Sequence, residues 1–254
     1  MLQLAEPDAK MPRLESLMGP NMESNDTRKT RSFRGLPFAR GSEPSIAIVT
    51  ALLAGLIALA SRLPNIVTRV AAGSCGLLWL LILYFFRDPE RVDTDLEPGV
   101  VLSAGDGEVV EIARERESTY LRRDMIRISV FLSIFDVHVQ RVPIDGKVSH
   151  IHHQPGRYLQ AFRPEASSVN EHIATLIETD HGPVLVKQIA GILARRCVNY
   201  LQPGDYVNRG QRFGLIRFGS RVDLFVTPNA EILAAVGDRV AGALTPVARL
   251  SEAA

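Results

Sequence analysis

Two unbroken apolar stretches, residues 46–60 and 70–86, stand near the start of the chain, and neither has a polar face. A surface helix of a soluble protein would carry polar positions along one side, so a buried soluble hairpin is the less favoured interpretation. Arg62 and Pro64 lie in the short segment between the stretches. A membrane-spanning helix needs about 20 apolar residues, so the first stretch is short and the second is marginal. The pattern predicts a hydrophobic helical hairpin over residues 42–87 that either spans the bilayer or is embedded in it.

Polar and basic residues fill positions 1–41, with little periodicity. A segment of this composition cannot bury enough apolar surface to fold, so we predict a disordered tail. Because the tail shows no packing pattern, Met18 or Met22 could also serve as the start of translation. Basic residues lie on both outer flanks of the hairpin, in the tail and at Arg87 and Arg91. Positive charge favours the cytoplasmic side. We therefore expect the tail and the C-terminal domain on the cytoplasmic side of the cell (inner) membrane, with the protein either hairpin-anchored or peripheral.

From residue 88 to residue 254 the chain alternates short β-rich stretches with turns rich in Gly, Asp and Pro. The pairs Asp106-Gly107 and Asp145-Gly146 each separate two apolar stretches, which is a strong hairpin signal. Two weak internal repeats are visible, SAGDGEVV with VPIDGKVS and PGDYVNRGQ with VGDRVAGAL. The second pair shares Gly-Asp-x-Val followed by a Gly-rich turn, a pattern typical of small β-sandwich modules that resemble biotinyl or lipoyl domains. The predicted fold class is mainly β, a β-sandwich or barrel-sandwich hybrid with lipoyl-like repeats, preceded by the hydrophobic hairpin.

Composition narrows the function classes further. The chain has 254 residues, of which 46% are hydrophobic and 22% charged, and its formal net charge is +1. A net charge this close to zero does not attract a polyanion strongly, so no nucleic-acid partner is expected. Cys75 and Cys197 are far apart and lie in apolar surroundings. They are expected to be buried thiols, without a disulfide framework or a redox motif.

The segment HIHHQPG supplies the first candidates for chemistry. His150 and His152 would point to one face of a strand. A protein metal site needs at least a third ligand, and no complementary spacing of acidic or histidine ligands is present. We therefore expect no metal here, and a turn or substrate-rim role for these histidines.

Three further candidates each have a structural and a functional interpretation. On a strand, Asp136, His138 and Gln140 would share one face, and His138 is either a core histidine or a functional one. Asp106 is either the first residue of a hairpin turn or an acid. Ser220 follows a glycine inside a predicted strand, where glycine marks a bulge or a close backbone approach. Residue types alone leave these alternatives open.

Five segments, in order, resemble the phosphatidylserine decarboxylase family in its short bacterial and archaeal form. They are FFRDPER, SAGDGEV, FLSIFDVHVQRVPIDGKV, QIAGILARR and GDYVNRGQRFGLIRFGSRVDLF. The match covers nearly everything after residue 46. Five ordered segments of this length are much more specific than any single motif.

The resemblance implies a self-processing proenzyme with a covalent pyruvoyl cofactor. Ser220 would attack the carbonyl of Gly219, and β-elimination would then cut the chain into a β fragment, 1–219, and an α fragment, 220–254. Glycine suits this position because no side chain blocks the attack. The two fragments would form a heterodimer, and Ser220 would become the pyruvoyl group. A Schiff base on that ketone would serve as an electron sink, releasing CO2 and converting phosphatidylserine in the membrane to phosphatidylethanolamine.

The resemblance also implies roles for other side chains. His138 would be the acid–base residue, and Asp106 would orient the groups of the self-cleavage step. Arg141 stands where the longer bacterial branch has a second histidine, and an arginine cannot act as a base at neutral pH, so His138 would serve both steps. Arginines that could pair with the lipid phosphate or the serine carboxylate are Arg141, Arg195, Arg196, Arg217 and Arg221.

Two alternatives remain open at this point. Archaetidylserine or another phosphoserine lipid could be the substrate, because the lipid backbone cannot be deduced from the sequence. The chain could instead be a membrane-tethered adaptor or carrier that resembles lipoyl domains, with Lys147 as the nearest candidate for a modified lysine. A homo-oligomer is compatible with either function.

Overall fold

The computed structural model describes residues 38–91, 96–161, 163, 165–192, 197–216 and 219–251. Nearly all of the predicted disordered tail, residues 1–37, lies outside this part of the chain. The candidates Arg195, Arg196 and Arg217 also lie outside it.

Two apolar helices come first, α1 (Glu43–Arg62) and α2 (Ile66–Phe85). The Asn65 side chain begins α2 by accepting a hydrogen bond from the backbone N–H of Thr68 at 3.0 Å. Each helix has 20 residues, which corresponds to about 30 Å, the hydrocarbon thickness of a bilayer. Both are long and apolar enough to cross a membrane. The predicted hydrophobic helical hairpin is confirmed, and Phe85 is the one buried residue of its two helices.

The remainder is mainly β, as predicted. Its strands are β1 (Val100–Leu102), β2 (Gly107–Glu117), β3 (Arg123–Leu132), β4 (Val139–Arg141), β5 (Gly146–Gln154), β6 (His172–Thr179), β7 (Gly182–Ile189), β8 (Cys197–Asn199), β9 (Tyr206–Val207), β10 (Arg212–Ile216), β11 (Ser220–Val226), β12 (Glu231–Ile232), β13 (Arg239–Val240) and β14 (Pro246–Arg249). A single-turn helix, α3 (Ala166–Val169), precedes β6.

Within the described residues the strands form three antiparallel sheets. The largest has eight strands in the order β13-β2-β3-β11-β7-β6-β5-β9 and curls into a half-barrel. The two smaller sheets have the orders β1-β14-β12 and β4-β10-β8. Strand β11 therefore lies in the middle of the largest sheet, with β3 on one side and β7 on the other.

The main core covers one face of the largest sheet. Ile128 and Leu224, which pair across β3 and β11, are buried there with Val186 of β7. A second, smaller cluster joins the hairpin to the β domain. In it Phe85 and Phe86 pack with Val137, Val139 and Leu215. Ala39 is buried in the same cluster, and Ile46 of α1 and Ile82 of α2 pack against it. The start of α1 and the end of α2 are thus both packed against the β domain.

Candidate active site

One end of the eight-stranded sheet gathers the site residues predicted from sequence. Strands β2 and β11 begin at this end, and β3 and β7 finish there. Asp106 directly precedes β2, Ser220 is the first residue of β11, and the segment leading to His138 follows β3. Gly191 lies just beyond β7. The antiparallel order therefore brings together residues that are far apart along the chain.

The Gly219–Ser220 peptide bond lies at the start of β11. Gly219 has φ +61°, a left-handed conformation that glycine adopts without strain. Ser220 is fully buried, and its Oγ atom has no hydrogen-bond partner among the described residues. A buried hydroxyl without a partner is destabilising and is rare in folded proteins. The Ser220 hydroxyl thus makes no structural hydrogen bond that would compete with a chemical role.

His138 is fully buried in the same region. Its Nδ1 atom lies 2.8 Å from the carbonyl oxygen of Asp136, and a carbonyl can only accept, so Nδ1 carries the proton. Nε2 is then the basic atom, and it has no hydrogen-bond partner among the described residues. Burial lowers the pKa of His138 to about 4. The ring is therefore neutral at neutral pH and holds an unused lone pair.

A tight turn and an aromatic ring hold His138 in place. The Asp136 carboxylate accepts hydrogen bonds from the Ser133 backbone N–H at 2.8 Å and from the Ser133 hydroxyl at 2.7 Å. The ring of Phe85, the last residue of α2, lies 4.1 Å from the His138 ring, centroid to centroid. The last residue of the apolar hairpin's second helix thus packs directly against the buried imidazole.

Asp106 is engaged in a bidentate ion pair. Its two carboxylate oxygens accept hydrogen bonds from Arg91 at 2.6 and 2.7 Å, and the Gly242 backbone N–H adds a third at 2.8 Å. Among the described residues, none of its hydrogen bonds goes to His138 or Ser220. Its charge still acts on His138: burial lowers the pKa of the imidazole, and Asp106 is among the groups that oppose this effect.

The two described arginines of the predicted substrate set are both held inside the protein. Arg141 is buried and donates to Asp88 at 3.0 Å and to the carbonyl oxygen of Pro89 at 2.7 Å. Arg221 is buried and donates to Asp223 at 2.5 Å and to Ser129 at 2.8 Å. Both guanidinium groups have structural partners, although the buried Nε of Arg141 has none among the described residues. A role in substrate binding stays a prediction.

Several residues of this site carried no assigned role in the sequence analysis. Gln140 donates to the His138 carbonyl at 2.7 Å, and Gln188 of β7 donates to the side-chain oxygen of Gln140 at 3.0 Å. This buried amide pair ties the strand after His138 to the sheet that holds Ser220. Gly191 packs against the backbone carbonyl of Gly219. An isolated glycine after an apolar run was the one sequence signal for it.

His150 and His152 lie on β5, exposed, with nearly parallel rings 6.2 Å apart. In the part of the chain that the structure describes, no group of three or more His, Cys, Asp or Glu side chains could hold a metal ion. Cys197 is buried, as expected, whereas the expectation of a buried Cys75 was wrong, because this residue is only half-buried in α2.

Comparison with known proteins places this site in a family. The family model described as phosphatidylserine decarboxylase matches residues 78–248. Relatives named phosphatidylserine decarboxylase proenzyme include one from Carboxydothermus hydrogenoformans, 40% identical over 68% of this chain and 82% of its own length. One from Geotalea uraniireducens is 38% identical over 82% of this chain and 95% of its own length. One from Salinibacter ruber is 47% identical over 66% of this chain and 75% of its own length. The chain therefore belongs to the phosphatidylserine decarboxylase family.

Proposed function

We infer that this chain is a phosphatidylserine decarboxylase, made as a proenzyme that cuts itself between Gly219 and Ser220. The observation that carries this inference is the buried, unpartnered hydroxyl of Ser220 at a left-handed glycine. A second unpartnered buried atom, Nε2 of the neutral His138, lies at the same end of the sheet. Family membership and the proenzyme names of the relatives agree with it.

In the cutting step, the Ser220 hydroxyl attacks the carbonyl carbon of Gly219 and the peptide nitrogen leaves, so the amide becomes an ester. A base then takes the Cα proton of Ser220, and β-elimination releases the Gly219 carboxylate. The new amino end takes up water and loses ammonia, which leaves a pyruvoyl group. We assign the base to His138 Nε2, because its neutral ring has an unused lone pair at this end of the sheet.

The residues present fit a pyruvoyl group at this position, because the Ser220 side chain is enclosed and already lacks a structural hydrogen bond. The group supplies a ketone that binds the substrate amine and accepts the electron pair left when CO2 departs. This chain's part is to exclude water, with Phe85 covering the imidazole, and to hold a proton acceptor or donor at His138. Asp106, through Arg91 and Gly242, positions the turn that enters β2.

The substrate proposed is the serine lipid in the membrane, and the hairpin gives the reason. The second apolar helix, α2, ends at the His138 imidazole, so a headgroup at the bilayer surface is close to the site. We assign residues 42–87 to the membrane, residues 88–254 to the decarboxylase domain and residues 1–41 to a tail. By the charges that flank the hairpin, the domain lies on the cytoplasmic side of the cell membrane. Fragments 1–219 and 220–254 form a heterodimer, since β11 pairs on both sides with strands of the longer fragment.

Intact mass spectrometry of the purified protein tests this function. Two fragments are expected, with the smaller one starting in a pyruvoyl group at position 220. Ser220→Ala should give one uncut chain without decarboxylase activity, whereas Ser149→Ala, at an exposed serine of β5, should be cut normally. An uncut wild-type chain that still releases CO2 from phosphatidylserine would refute the mechanism.

A further inference from the structure

An exposed apolar turn stands directly beside the site. Residues 133–136 form a tight turn closed by the Asp136 N–H, which donates to the Ser133 carbonyl at 3.0 Å. Its two central residues are Ile134, which is 37% exposed, and Phe135, which is 60% exposed. Turn centres are ordinarily Gly, Asn, Asp, Ser or Pro. Two large apolar side chains held toward solvent by a well-bonded turn therefore point to a surface that is covered in the working protein.

A third exposed apolar residue lies at the same end of the sheet. Ile192 is 57% exposed and directly follows Gly191, which packs against the Gly219 carbonyl. The Ile134–Phe135 turn follows β3, whose last residue, Leu132, pairs with Ser220. We call Ile134, Phe135 and Ile192 the apolar rim. All three side chains come from chain segments that border the proposed cleavage site.

The rim is connected to the end of the membrane-type hairpin. Arg87, two residues after α2, donates from Nη2 to the carbonyl oxygen of Phe135 at 2.8 Å. The same guanidinium lies 3.9 Å from the centre of the Tyr84 ring, and Tyr84 is 48% exposed. An aromatic ring with an adjacent arginine at the end of an apolar helix is the arrangement found at a membrane–water interface. The turn is therefore held at the level of that interface.

Charge near the rim agrees with a phospholipid surface. Arg239 donates a hydrogen bond to the Asp136 carboxylate at 2.5 Å, and the Arg239 side chain is 62% exposed. Arg87 is the second cation at the turn. Apolar side chains flanked by an exposed and a half-buried arginine match the boundary between acyl chains and phosphate groups.

We propose that the apolar rim inserts into the interfacial layer of the bilayer, beside the end of α2, so that the catalytic site opens at the level of the lipid headgroups. The proposal rests on the proposed function, because it assigns the rim to delivery of the same membrane lipid. The serine headgroup then reaches the site while its acyl chains stay in the membrane. The hairpin anchors the protein, and the rim fixes how the domain faces the membrane.

The position of the rim can be measured with a fluorescent probe. Trp79 is the chain's single tryptophan, so Trp79→Phe removes the background. Phe135→Trp in that protein puts a probe in the rim, and Tyr206→Trp puts a matched probe on β9, the far edge strand of the largest sheet. Both proteins are reconstituted in phosphatidylcholine vesicles with and without brominated acyl chains. The rim probe is expected to be blue-shifted and quenched by the brominated lipid, and the β9 probe to be neither.

The effect on turnover is measured with two substrates in the same vesicles. One is long-chain phosphatidylserine in the bilayer, and the other is dihexanoyl phosphatidylserine supplied as monomers from the water. The double change Ile134→Ser with Phe135→Ser should lower the activity on the bilayer substrate by at least about tenfold more than the activity on the monomeric one. Tyr206→Ser should leave the ratio of the two activities as in wild type.

Each result has a distinct meaning. A rim probe no more quenched than the β9 probe overturns the proposal, and emission that instead changes with protein concentration assigns the rim to a second copy of the chain. Equal losses on both substrates also overturn it, because they indicate damage to the site. A wild-type protein that is uncut and converts neither lipid contradicts the proposed function, while the quenching experiment still reports where the rim lies.

Discussion

The carbonyl oxygen of Gly219 lies against Gly191, so closely that a Cβ atom on Gly191 would overlap it. Gly191 follows β7 and Gly219 precedes β11, so the contact joins two neighbouring strands at the end of the sheet where the site forms. It fixes the direction of the carbonyl that the Ser220 hydroxyl attacks in the proposed cutting step.

Gly191→Ala should therefore slow self-cleavage. The added methyl group must push the Gly219 carbonyl aside, and about 1.4 kcal/mol of added barrier gives a tenfold slower rate. Cutting of freshly synthesised protein in vesicles is followed on a denaturing gel. Gly73→Ala is the control, because a Cβ atom there meets nothing within 4 Å. Normal cutting by Gly191→Ala would mean that the carbonyl direction is not important.

The pH dependence of cutting should report the buried state of His138. Burial lowers its pKa to about 4 from the ordinary 6.5. The base is the neutral ring, so the rate should stay level from neutral pH downward and fall only as the pH approaches about 4. Phe85→Ala, which admits water to the ring, should raise the midpoint toward the ordinary value. A wild-type midpoint near 6.5 would contradict the assignment of His138.

The same pKa sets the direction of a stability change. Because the folded pKa lies below the unfolded one, the unfolded chain binds more protons between the two values, and the folded state loses stability as the pH falls through this window. The loss is on the order of 3 kcal/mol if His138 acts alone. His138→Gln should reduce the acid sensitivity of the thermal unfolding midpoint, measured in detergent. An unchanged acid sensitivity would count against a buried, neutral imidazole.

Arg141 should prove to be mainly a structural residue. Arg141 and Asp88 are both buried, and burial lowers the pKa of Arg141 to about 10, which reflects the cost of holding its charge there. Arg141→Met leaves the Asp88 carboxylate with Arg212 as its remaining ion-pair partner among the described residues. We expect a loss of about 3 kcal/mol, or roughly 6–12 °C in the unfolding midpoint. Arg141→Lys, which keeps the charge, should lose less. A raised KM with an unchanged midpoint would instead support the substrate-binding prediction.

Asp106→Asn should slow cutting because it shifts the turn that leads into β2. An amide oxygen can accept from Arg91, but the neutral side chain cannot keep the bidentate ion pair. We expect cutting to slow by about tenfold, and Arg91→Lys to have a similar effect because lysine cannot form the same fork. Asp238→Asn is the matched control, since Asp238 is an exposed turn residue that accepts a backbone N–H at 2.8 Å. Identical rates for Asp106→Asn and wild type would remove Asp106 from the proposed mechanism.

The sequence was informative where local pattern decides the structure. Unbroken apolar stretches predicted both helices, and the turn pairs Asp106-Gly107 and Asp145-Gly146 predicted a β-rich domain. The hairpins expected at these two pairs were wrong, because β1 and β2, and likewise β4 and β5, lie in different sheets and do not pair with each other. The resemblance of ordered segments then identified Ser220 and His138 as candidates. Contacts set by strand register could not be read in this way, because Gly191 meets Gly219 only when β7 and β11 become neighbours.

Arginine roles were the least predictable part of the site. A single arginine in the sequence does not show whether its charge faces solvent, substrate or a buried acid. The partner of Arg141 is Asp88, 53 residues earlier in the chain. Arg221 has a closer partner, Asp223, but the two lie on one strand face whose burial depends on the neighbouring strands. These pairings follow from the tertiary fold.

Strand β11 lies between β3 and β7, with backbone pairing along both edges. A fragment that begins at Ser220 cannot be withdrawn without opening the centre of the eight-stranded sheet. Under the proposed mechanism, a pyruvoyl ketone inactivated by a side reaction could therefore not be renewed by exchanging the short fragment for a fresh one. The cell would then have to replace the entire polypeptide, and the balance between new synthesis and degradation would set the number of working decarboxylation centres.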